Sequence, residues 1–233
     1  MASKVPRHIA IILDGNRRYA KKLGLQPWKG HDFGVKKLEQ LLEWCRQLGI
    51  KELTLYSFST ENFNRTKKEK DFLFNIFKKE FNNMGYRKDI FENKIRINII
   101  GRLNMFPKAV RKAMLDIMEK TRKHNKFVVN FAMAYGGRQE ITDAIRKISQ
   151  KVEKGKLEAY KINESLITNN LYLKSEPDLV IRPGGEVRTS NFLTWQSVYS
   201  EWVFLKKLWP EFTRNDLLKC IKEFSRRERR FGG

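Results

Sequence analysis

The sequence has little cysteine and no long apolar run. Its two cysteines, Cys45 and Cys220, lie far apart and away from any His or Cys cluster. This usage excludes a disulfide framework, predicts no zinc site and is typical of reduced thiols in a cytoplasmic protein. The first apolar stretch, 9–13, ends at Asp14 and is too short for a signal-peptide core or a membrane-spanning helix. We therefore expect a protein that is made soluble.

Repeats and nucleotide-binding motifs are also absent. The six prolines and fourteen glycines follow no period, which excludes a collagen-like chain, and no fixed-length repeat predicts a solenoid. Neither GxxxxGK[ST] nor GxGxxG occurs, and this counts against a nucleotide enzyme. With 41% hydrophobic and 12% aromatic residues, the 233-residue chain can bury a core. The length predicts a single α/β domain over 1–233.

Acidic residues are scarce beside the basic ones. Lys and Arg number 48 against 26 Asp and Glu, which gives a net charge of +22. Such a field attracts polyanions, including nucleic acid, anionic membranes and diphosphates. The basic residues are spread along the chain and form no known nucleic-acid motif, so we expect no nucleic-acid partner, although a basic nucleic-acid-binding protein stays the alternative on charge alone. We expect diphosphates and anionic lipid headgroups as partners, the latter through peripheral association with the inner face of the membrane.

Apolar runs alternate with charged segments of helical spacing, which predicts an α/β fold. The runs are rich in β-branched residues without strict alternation, and this favours strands buried on both faces of a mainly parallel central sheet flanked by helices. The predicted strands are 9–13, 53–58, 95–100, 127–134 and 179–181. The predicted amphipathic helices are 35–48, 66–91, 108–124 and 141–152, of which 66–91 is expected as one long helix.

Open parallel sheets bind ligands beyond the carboxyl ends of their strands. After the first strand, segment 14–18 offers a carboxylate, a permissive glycine, an amide and two guanidinium groups at the start of a helix. These groups could hold a metal ion and a diphosphate together, or could form a solvated turn. After the second strand, a helix cap at Ser59 or Thr60 leaves Asn62, Asn64 and Arg65 unexplained.

The segment after the last predicted strand, 178–192, has a paired glycine between Arg182 and Arg188. Backbone amides freed by glycine, with a guanidinium group on each side, favour a phosphate cradle that lacks any nucleotide-specific motif.

These segments resemble the cis-prenyltransferases, a family that includes undecaprenyl and dehydrodolichyl diphosphate synthases. The resemblance extends over blocks in the same order along the chain: 8–20, Gly30 with His31, 53–65, Asn130 with 135–138, 178–201 and 226–233. It implies an elongated hydrophobic tunnel between sheet and helices, and a homodimer. The implied reaction condenses isopentenyl diphosphate with an allylic prenyl diphosphate, forms a cis double bond at each addition and releases diphosphate. The implied product is a long-chain polyprenyl diphosphate, a precursor of glycosyl carrier lipids.

The resemblance also implies roles for individual residues. Asp14 and Glu201 would hold Mg²⁺, although Glu201 could also be a surface carboxylate and His31 a helix-cap residue. The implied catalytic residues are Asp14, Asn16, Ser59 and Asn62. The implied substrate-binding residues are Gly15, Arg17, Arg18, His31, Phe63, Arg65, Arg182, Arg188, Ser190, Arg230 and Gly232, with the tail 226–233 reaching an active site.

Three features bear on substrate choice. Arg17 and Tyr19 are similar to archaeal and eukaryotic relatives, whereas Pro27 and Val187 replace an arginine and a histidine found in other members. These departures leave transfer to an acceptor other than isopentenyl diphosphate as an alternative. Product length would depend on the tunnel floor, which we expect to include some of Phe72, Ile76, Phe77, Phe81 and the residues of helix 108–124.

Overall fold

A computed structural model describes residues 5–227. Six strands form one sheet in the order β3-β4-β2-β1-β5-β6, and every neighbouring pair is parallel. The prediction of a mainly parallel sheet flanked by helices is confirmed. The strands are β1 (His8–Ile12), β2 (Glu52–Ser59), β3 (Ile95–Ile100), β4 (Phe127–Tyr135), β5 (Leu179–Pro183) and β6 (Glu201–Leu205).

The last strand, β6, was not predicted from the sequence. It pairs only with β5 and forms one edge of the sheet. Four of its five residues are half-buried, and only Val203 is buried, so its sequence lacks the continuous apolar run that marks the other strands.

Eight helices occur in residues 5–227, of which two near the end of the chain, α7 and α8, were not predicted. The helices are α1 (Asn16–Lys22), α2 (Gly30–Gln47), α3 (Lys67–Met84), α4 (Lys88–Glu92), α5 (Lys108–Lys120), α6 (Gly137–Glu153), α7 (Glu164–Asn170) and α8 (Arg214–Arg226). A short 3₁₀ turn, Thr60–Asn64, follows β2.

The prediction of one long helix over 66–91 is wrong. Helix α3 ends at Met84 with Gly85 as its C-cap, and α4 begins only at Lys88. Arg87 between them has an extended backbone, with φ −76° and ψ 114°. Glycine has poor helix propensity, and the extended conformation of Arg87 interrupts the helical hydrogen bonds. The break turns the Arg87 side chain toward α2, which matters for the cavity described below.

Apolar residues cover both faces of the sheet. The larger cluster includes Leu41 of α2, Met114 of α5 and Phe131 of β4, whereas the smaller one on the other face includes Tyr56 and Phe192. Both cysteines are buried and free, and burial raises the pKa of the Cys220 thiol to about 12. No helix within residues 5–227 is long and apolar enough to cross a bilayer.

Candidate active site at the carboxyl ends of the strands

Strands β2, β1 and β5 are neighbours, so their carboxyl ends bring three predicted segments together. Asp14 follows β1, Ser59 ends β2, and Arg182 is the penultimate residue of β5. All three side chains line one cavity. The topology therefore assembles residues that are widely separated in sequence.

Asp14 lies between two arginines. Its Oδ2 accepts a hydrogen bond of 3.0 Å from Arg182, and its Oδ1 accepts one of 3.1 Å from Arg18. The Trp209 backbone N–H donates to the Asp14 carbonyl oxygen at 2.8 Å and fixes its main chain. These contacts hold the carboxylate at the cavity wall, where its side chain stays 28% exposed.

Arg182 is buried, with 4% of its side chain exposed. Its guanidinium group donates to Ser190 Oγ at 2.7 Å and to the Arg188 carbonyl oxygen, while its buried Nε has no hydrogen-bond partner. A buried cation is stable only with compensating contacts. Because Asp14 supplies the only carboxylate contact described for it, Arg182 retains donor capacity for an anion.

Glycines allow the main chain to approach these side chains closely. Gly184 has a φ of +110°, and a Cβ there would lie 2.9 Å from an Arg18 nitrogen and 3.1 Å from Asp14 Cβ. A Cβ on Gly30 would lie 1.9 Å from the Asn16 carbonyl oxygen. The paired-glycine loop therefore closes onto Asp14, and α2 packs directly against α1.

The loop after β5 is clamped to the start of α6. The Gly137 N–H donates to the Asn191 carbonyl oxygen at 2.7 Å, and the Arg138 N–H donates to Asn191 Oδ1 at 2.9 Å. Ser190 and Asn191 have φ values of +51° and +63°, which are strained for non-glycine residues. This clamp fixes Ser190 beside Arg182.

Glu69 of α3 is a site residue that the sequence reasoning missed. Its side chain is 6% exposed, and its Oε1 lies 3.0 Å from Arg65 Nη1, 3.8 Å from Arg17 Nε and 3.9 Å from His31 Nε2. The proximity of His31, Arg65 and Arg17 lowers the pKa of Glu69, whereas burial lowers the pKa of His31. Glu69 is therefore ionised and orients two arginines and a neutral imidazole. Arg65 precedes α3 and has an extended backbone, so helical spacing gave no signal for this contact.

Glu186 is a second missed carboxylate. It accepts a hydrogen bond of 2.7 Å from Arg188, and it lies 3.7 Å from Arg18. A polyanion that binds Arg18 and Arg188 would compete with Glu186 for these donors.

Of the uncharged residues predicted for the site, Asn16, Ser59 and Asn62 line the cavity, whereas Phe63 does not. Asn16 donates to the Leu13 carbonyl oxygen at 3.0 Å, and its buried Oδ1 has no hydrogen-bond partner. Asn62 Oδ1 accepts from the Ser59 N–H at 3.2 Å, and both line the cavity. Phe63 is absent from the described lining and packs against Phe58, with ring centroids 5.0 Å apart.

The cavity has a volume of about 360 Å³ and lies between the sheet, α2 and α3. Its mouth is polar, and its interior is lined by apolar side chains of both helices. Ile76, Phe77 and Phe81 line it as expected, but neither Phe72 nor any residue of α5 is among the lining residues described for 5–227. An amphipathic ligand with an anionic head and an apolar chain fits such a site. A second, polar pocket at the mouth is lined by Gly15, Arg17, Arg18, Lys21 and Arg65, among others.

Glu201 lies at the other end of the sheet. Glu201 is the first residue of β6 and pairs with Leu179 of β5, and Leu179 in turn pairs with Ile9 of β1. Asp14 comes five residues after Ile9, beyond the opposite end of β1. At about 3.3 Å per residue the two carboxylates are roughly 16 Å apart along the strands. Glu201 accepts a hydrogen bond of 2.7 Å from Arg227. The expectation that Asp14 and Glu201 share one ion is therefore wrong within a single chain. Arg230 and Gly232 lie outside the described residues.

The donor set at Asp14 fits Mg²⁺ bound jointly with a diphosphate. Mg²⁺ is commonly held by one or two carboxylates, with phosphate oxygens and water as the other ligands. Asp14 supplies one carboxylate beside the guanidinium groups of Arg18 and Arg182. No cluster of three or more His, Cys, Asp or Glu side chains that could form an all-protein metal cage occurs in residues 5–227.

Comparisons with known proteins agree with this chemistry. The family model described as undecaprenyl diphosphate synthase matches residues 12–232. The chain is 50% identical to a tritrans,polycis-undecaprenyl-diphosphate synthase (geranylgeranyl-diphosphate specific) of Pyrococcus horikoshii, over 98% of this chain and 87% of that protein. It is 44% identical to an isoprenyl transferase of Thermus thermophilus, over 98% and 89% of the two chains.

A solved structure is also similar. The crystal structure of lavandulyl diphosphate synthase from Lavandula x intermedia, in complex with dimethylallyl diphosphate, has a TM-score of 0.94 and 36% identity. The similarity covers 98% of this chain and 99% of that one.

Proposed function

The chain belongs to the cis-prenyltransferase family, and we propose that it joins isopentenyl diphosphate to an allylic prenyl diphosphate with formation of cis double bonds. The observation that carries the proposal is the hydrogen-bonded pair of Asp14 and Arg182 at the polar mouth of an apolar cavity. The pair provides charge for a diphosphate head, and the cavity provides an apolar surface for a prenyl chain.

Each addition breaks one C–O bond and one C–H bond and forms one C–C bond, while the isopentenyl double bond moves by one carbon. The allylic C–O bond breaks, the terminal double-bond carbon of isopentenyl diphosphate bonds to the allylic carbon, and a proton leaves the isopentenyl unit. Arg17, Arg18 and Arg65 bind the allylic diphosphate, where negative charge develops as it departs. Fixed donors at that position stabilise the transition state more than the ground state. Asp14 and the diphosphate would hold Mg²⁺, and the bound ion would supply further positive charge at the leaving group.

The second diphosphate belongs to isopentenyl diphosphate. Arg182, Arg188 and Ser190 bind it, since the clamped loop holds these groups on one side of Asp14. Asn16, Ser59 and Asn62 are neutral groups that orient the reacting units by hydrogen bonding. His31 is neutral near pH 7 because burial lowers its pKa, so it can accept a hydrogen bond or a proton.

We propose geranylgeranyl diphosphate as the allylic donor and a long cis-polyprenyl diphosphate, destined for a glycosyl carrier lipid, as the product. The support is the name of the Pyrococcus horikoshii relative, which gives its specificity as geranylgeranyl diphosphate. A second candidate, transfer to another acceptor, is supported by the similarity to an enzyme whose name gives lavandulyl diphosphate as its product.

A donor panel separates the two candidates. Purified protein is incubated with Mg²⁺, labelled isopentenyl diphosphate and allylic donors of increasing length, and products are separated by chain length. We expect EDTA-sensitive elongation, with geranylgeranyl diphosphate giving the highest kcat/KM. Donor consumption without elongation would favour another acceptor, and inertness with every donor would contradict both.

A homodimer is part of the proposal. Strand β6 is an edge of the sheet, and Val198 and Tyr199 just before it are 68% and 64% exposed. Exposed edges and apolar patches are common at protein interfaces. The tail residues Arg230 and Gly232 would then reach an active site. Light scattering after gel filtration should give twice the mass of one chain, and a monomer would contradict the proposal.

Peripheral membrane association at the cytoplasmic face is the last part of the proposal. The net charge of +22 favours anionic headgroups, and the product is a lipid. We expect the protein to sediment with vesicles that contain anionic lipid and to be released by salt. Equal sedimentation with neutral vesicles would contradict an electrostatic attachment.

A further inference from the structure

The cavity extends away from the strand ends between two helices. His31 of α2 lies at the polar mouth, and Leu42 of the same helix lines the cavity about three turns further on. On α3, the lining residues extend from Leu73 to Met84, roughly 16 Å at 1.5 Å per residue. An apolar chain anchored by its diphosphate at the mouth would therefore extend along both helices toward Met84.

Charged groups lie at the distal end of this cavity. Arg87 donates to Glu39 of α2 at 2.8 Å, and both side chains line the cavity. We call this ion pair the distal bridge. The helix break after Met84 is what directs Arg87 toward α2, because Arg87 has left the helical conformation.

Arg87 is held firmly in this position. Its Nε and Nη2 form a two-pronged contact with Asp89 of α4, at 3.0 and 2.7 Å. Glu80 also lines the cavity and adds negative charge near Arg87. Bidentate arginine–carboxylate contacts favour one orientation of the guanidinium plane, which here directs Arg87 toward Glu39.

A prenyl chain meets two environments in this cavity. Along Leu38, Phe77 and Phe81 each added unit leaves water for an apolar surface, which is favourable. At the distal bridge, further growth would separate paired charges or remove their hydration, which is unfavourable. Elongation therefore loses its driving force where the chain reaches this ion pair.

We propose that the distal bridge between Glu39 and Arg87 is the stop that limits product length. This inference rests on the proposed function, because it requires a prenyl chain that grows inside the cavity. It differs from the sequence-based expectation that residues of 72–81 and of the helix 108–124 close the tunnel, since the limiting groups are charged and depend on the break between α3 and α4.

Arg87→Met tests the inference most directly. Methionine keeps much of the length of the arginine stem but removes the charge, so the apolar surface continues past the bridge. With geranylgeranyl diphosphate and isopentenyl diphosphate, we expect the product distribution to shift to longer chains by one isoprene unit or more. Glu39→Gln preserves shape and weakens only the bridge, and it should shift the distribution in the same direction by a smaller amount.

Arg46→Met is the matched control. Arg46 pairs with Glu43 on α2 at 2.7 Å, and neither residue lines the cavity. This variant loses an ion pair by the same substitution and should keep the wild-type product lengths. Circular dichroism and thermal melting check the folding of each variant.

The outcomes are distinguishable. Unchanged or shorter products from folded Arg87→Met would overturn the inference while leaving the proposed function intact. If that variant does not fold, unchanged products from Glu39→Gln would overturn it equally. A wild-type protein inert with every donor would overturn the proposed function, and the inference with it.

Discussion

Asp14 is the residue on which the proposed chemistry depends most, because it contacts both Arg18 and Arg182 and supplies the carboxylate at the proposed diphosphate site. Asp14→Ala should lower kcat by at least ~10²-fold, as expected when developing charge loses its fixed partners. Asp32→Asn, which alters an exposed carboxylate on the neighbouring helix, should have no such effect. Steady-state assays of folded Asp14→Ala that show retained turnover would remove Asp14 from the mechanism.

Glu69 should act through the groups that it orients. In Glu69→Gln the charge that fixes Arg65 and His31 is lost, while the shape is preserved. We expect kcat/KM for the allylic donor to fall roughly tenfold, mainly through KM, because a charge-assisted hydrogen bond contributes about that much. The control is Asp71→Asn, an exposed carboxylate on the same helix. An unchanged KM in Glu69→Gln would show that Arg65 is positioned without Glu69.

For individual site residues, the sequence alone predicts those at the carboxyl ends of strands. It misses those that a helix or a folded loop brings to the site. Asp14 and Arg182 could be predicted because ligands bind at the carboxyl ends of parallel strands. Glu69 belongs to a helix, and the Glu186 contacts arise only after the glycine loop folds back. Glu201 shows the opposite error, since its distance from Asp14 follows from the register of a strand that was not predicted.

Among the elements, the contact between α1 and α2 is the most sensitive to added volume. In Gly30→Ala, the new methyl group would lie 1.9 Å from the Asn16 carbonyl oxygen and force the helices apart. We expect a loss of about 1–3 kcal/mol in the free energy of unfolding, with reduced activity because Asn16 moves. Denaturant titration measures the first effect. Gly85→Ala, where the side-chain neighbour is the flexible end of Lys120, is the control and should cost less.

The strands with continuous apolar runs could be predicted because burial on both faces leaves a clear sequence signal. Strand β6 lies at an edge and carries only one buried residue, so this signal is weak. The apolar spacing of 66–91 continues across Gly85, and therefore periodicity alone could not reveal the break between α3 and α4. That break places Arg87 at the cavity end, which only the structure shows.

For the whole molecule, two buried histidines predict acid sensitivity. Burial lowers the pKa of His8 and of His31 below the ordinary value of 6.5, although nearby carboxylates oppose the shift. The unfolded chain therefore binds protons first as pH falls below 6.5, and the free energy of unfolding should decrease from there to the lowered folded-state pKa values. Above 6.5 this contribution should be constant.

His8→Gln removes one of these groups. Its free energy of unfolding, measured by denaturant titration at several pH values, should fall less steeply on acidification than that of the wild type. An equal slope in both proteins would show that His8 does not contribute.

Net charge illustrates what composition can and cannot predict for the whole chain. A charge of +22 indicates a polyanionic partner without distinguishing nucleic acid from diphosphate. The distinction comes from the arrangement of Asp14 and Arg182 beside an apolar cavity, which suits a ligand with one charged head and one apolar chain.

The most direct test of the central claim is the structure of the product formed from geranylgeranyl diphosphate and isotopically labelled isopentenyl diphosphate with Mg²⁺. Mass spectrometry and carbon NMR should show successive isopentenyl units joined to the intact donor, each with a cis double bond, and one diphosphate released per addition. Products with trans double bonds, or no carbon–carbon bond between the two substrates, would contradict the account.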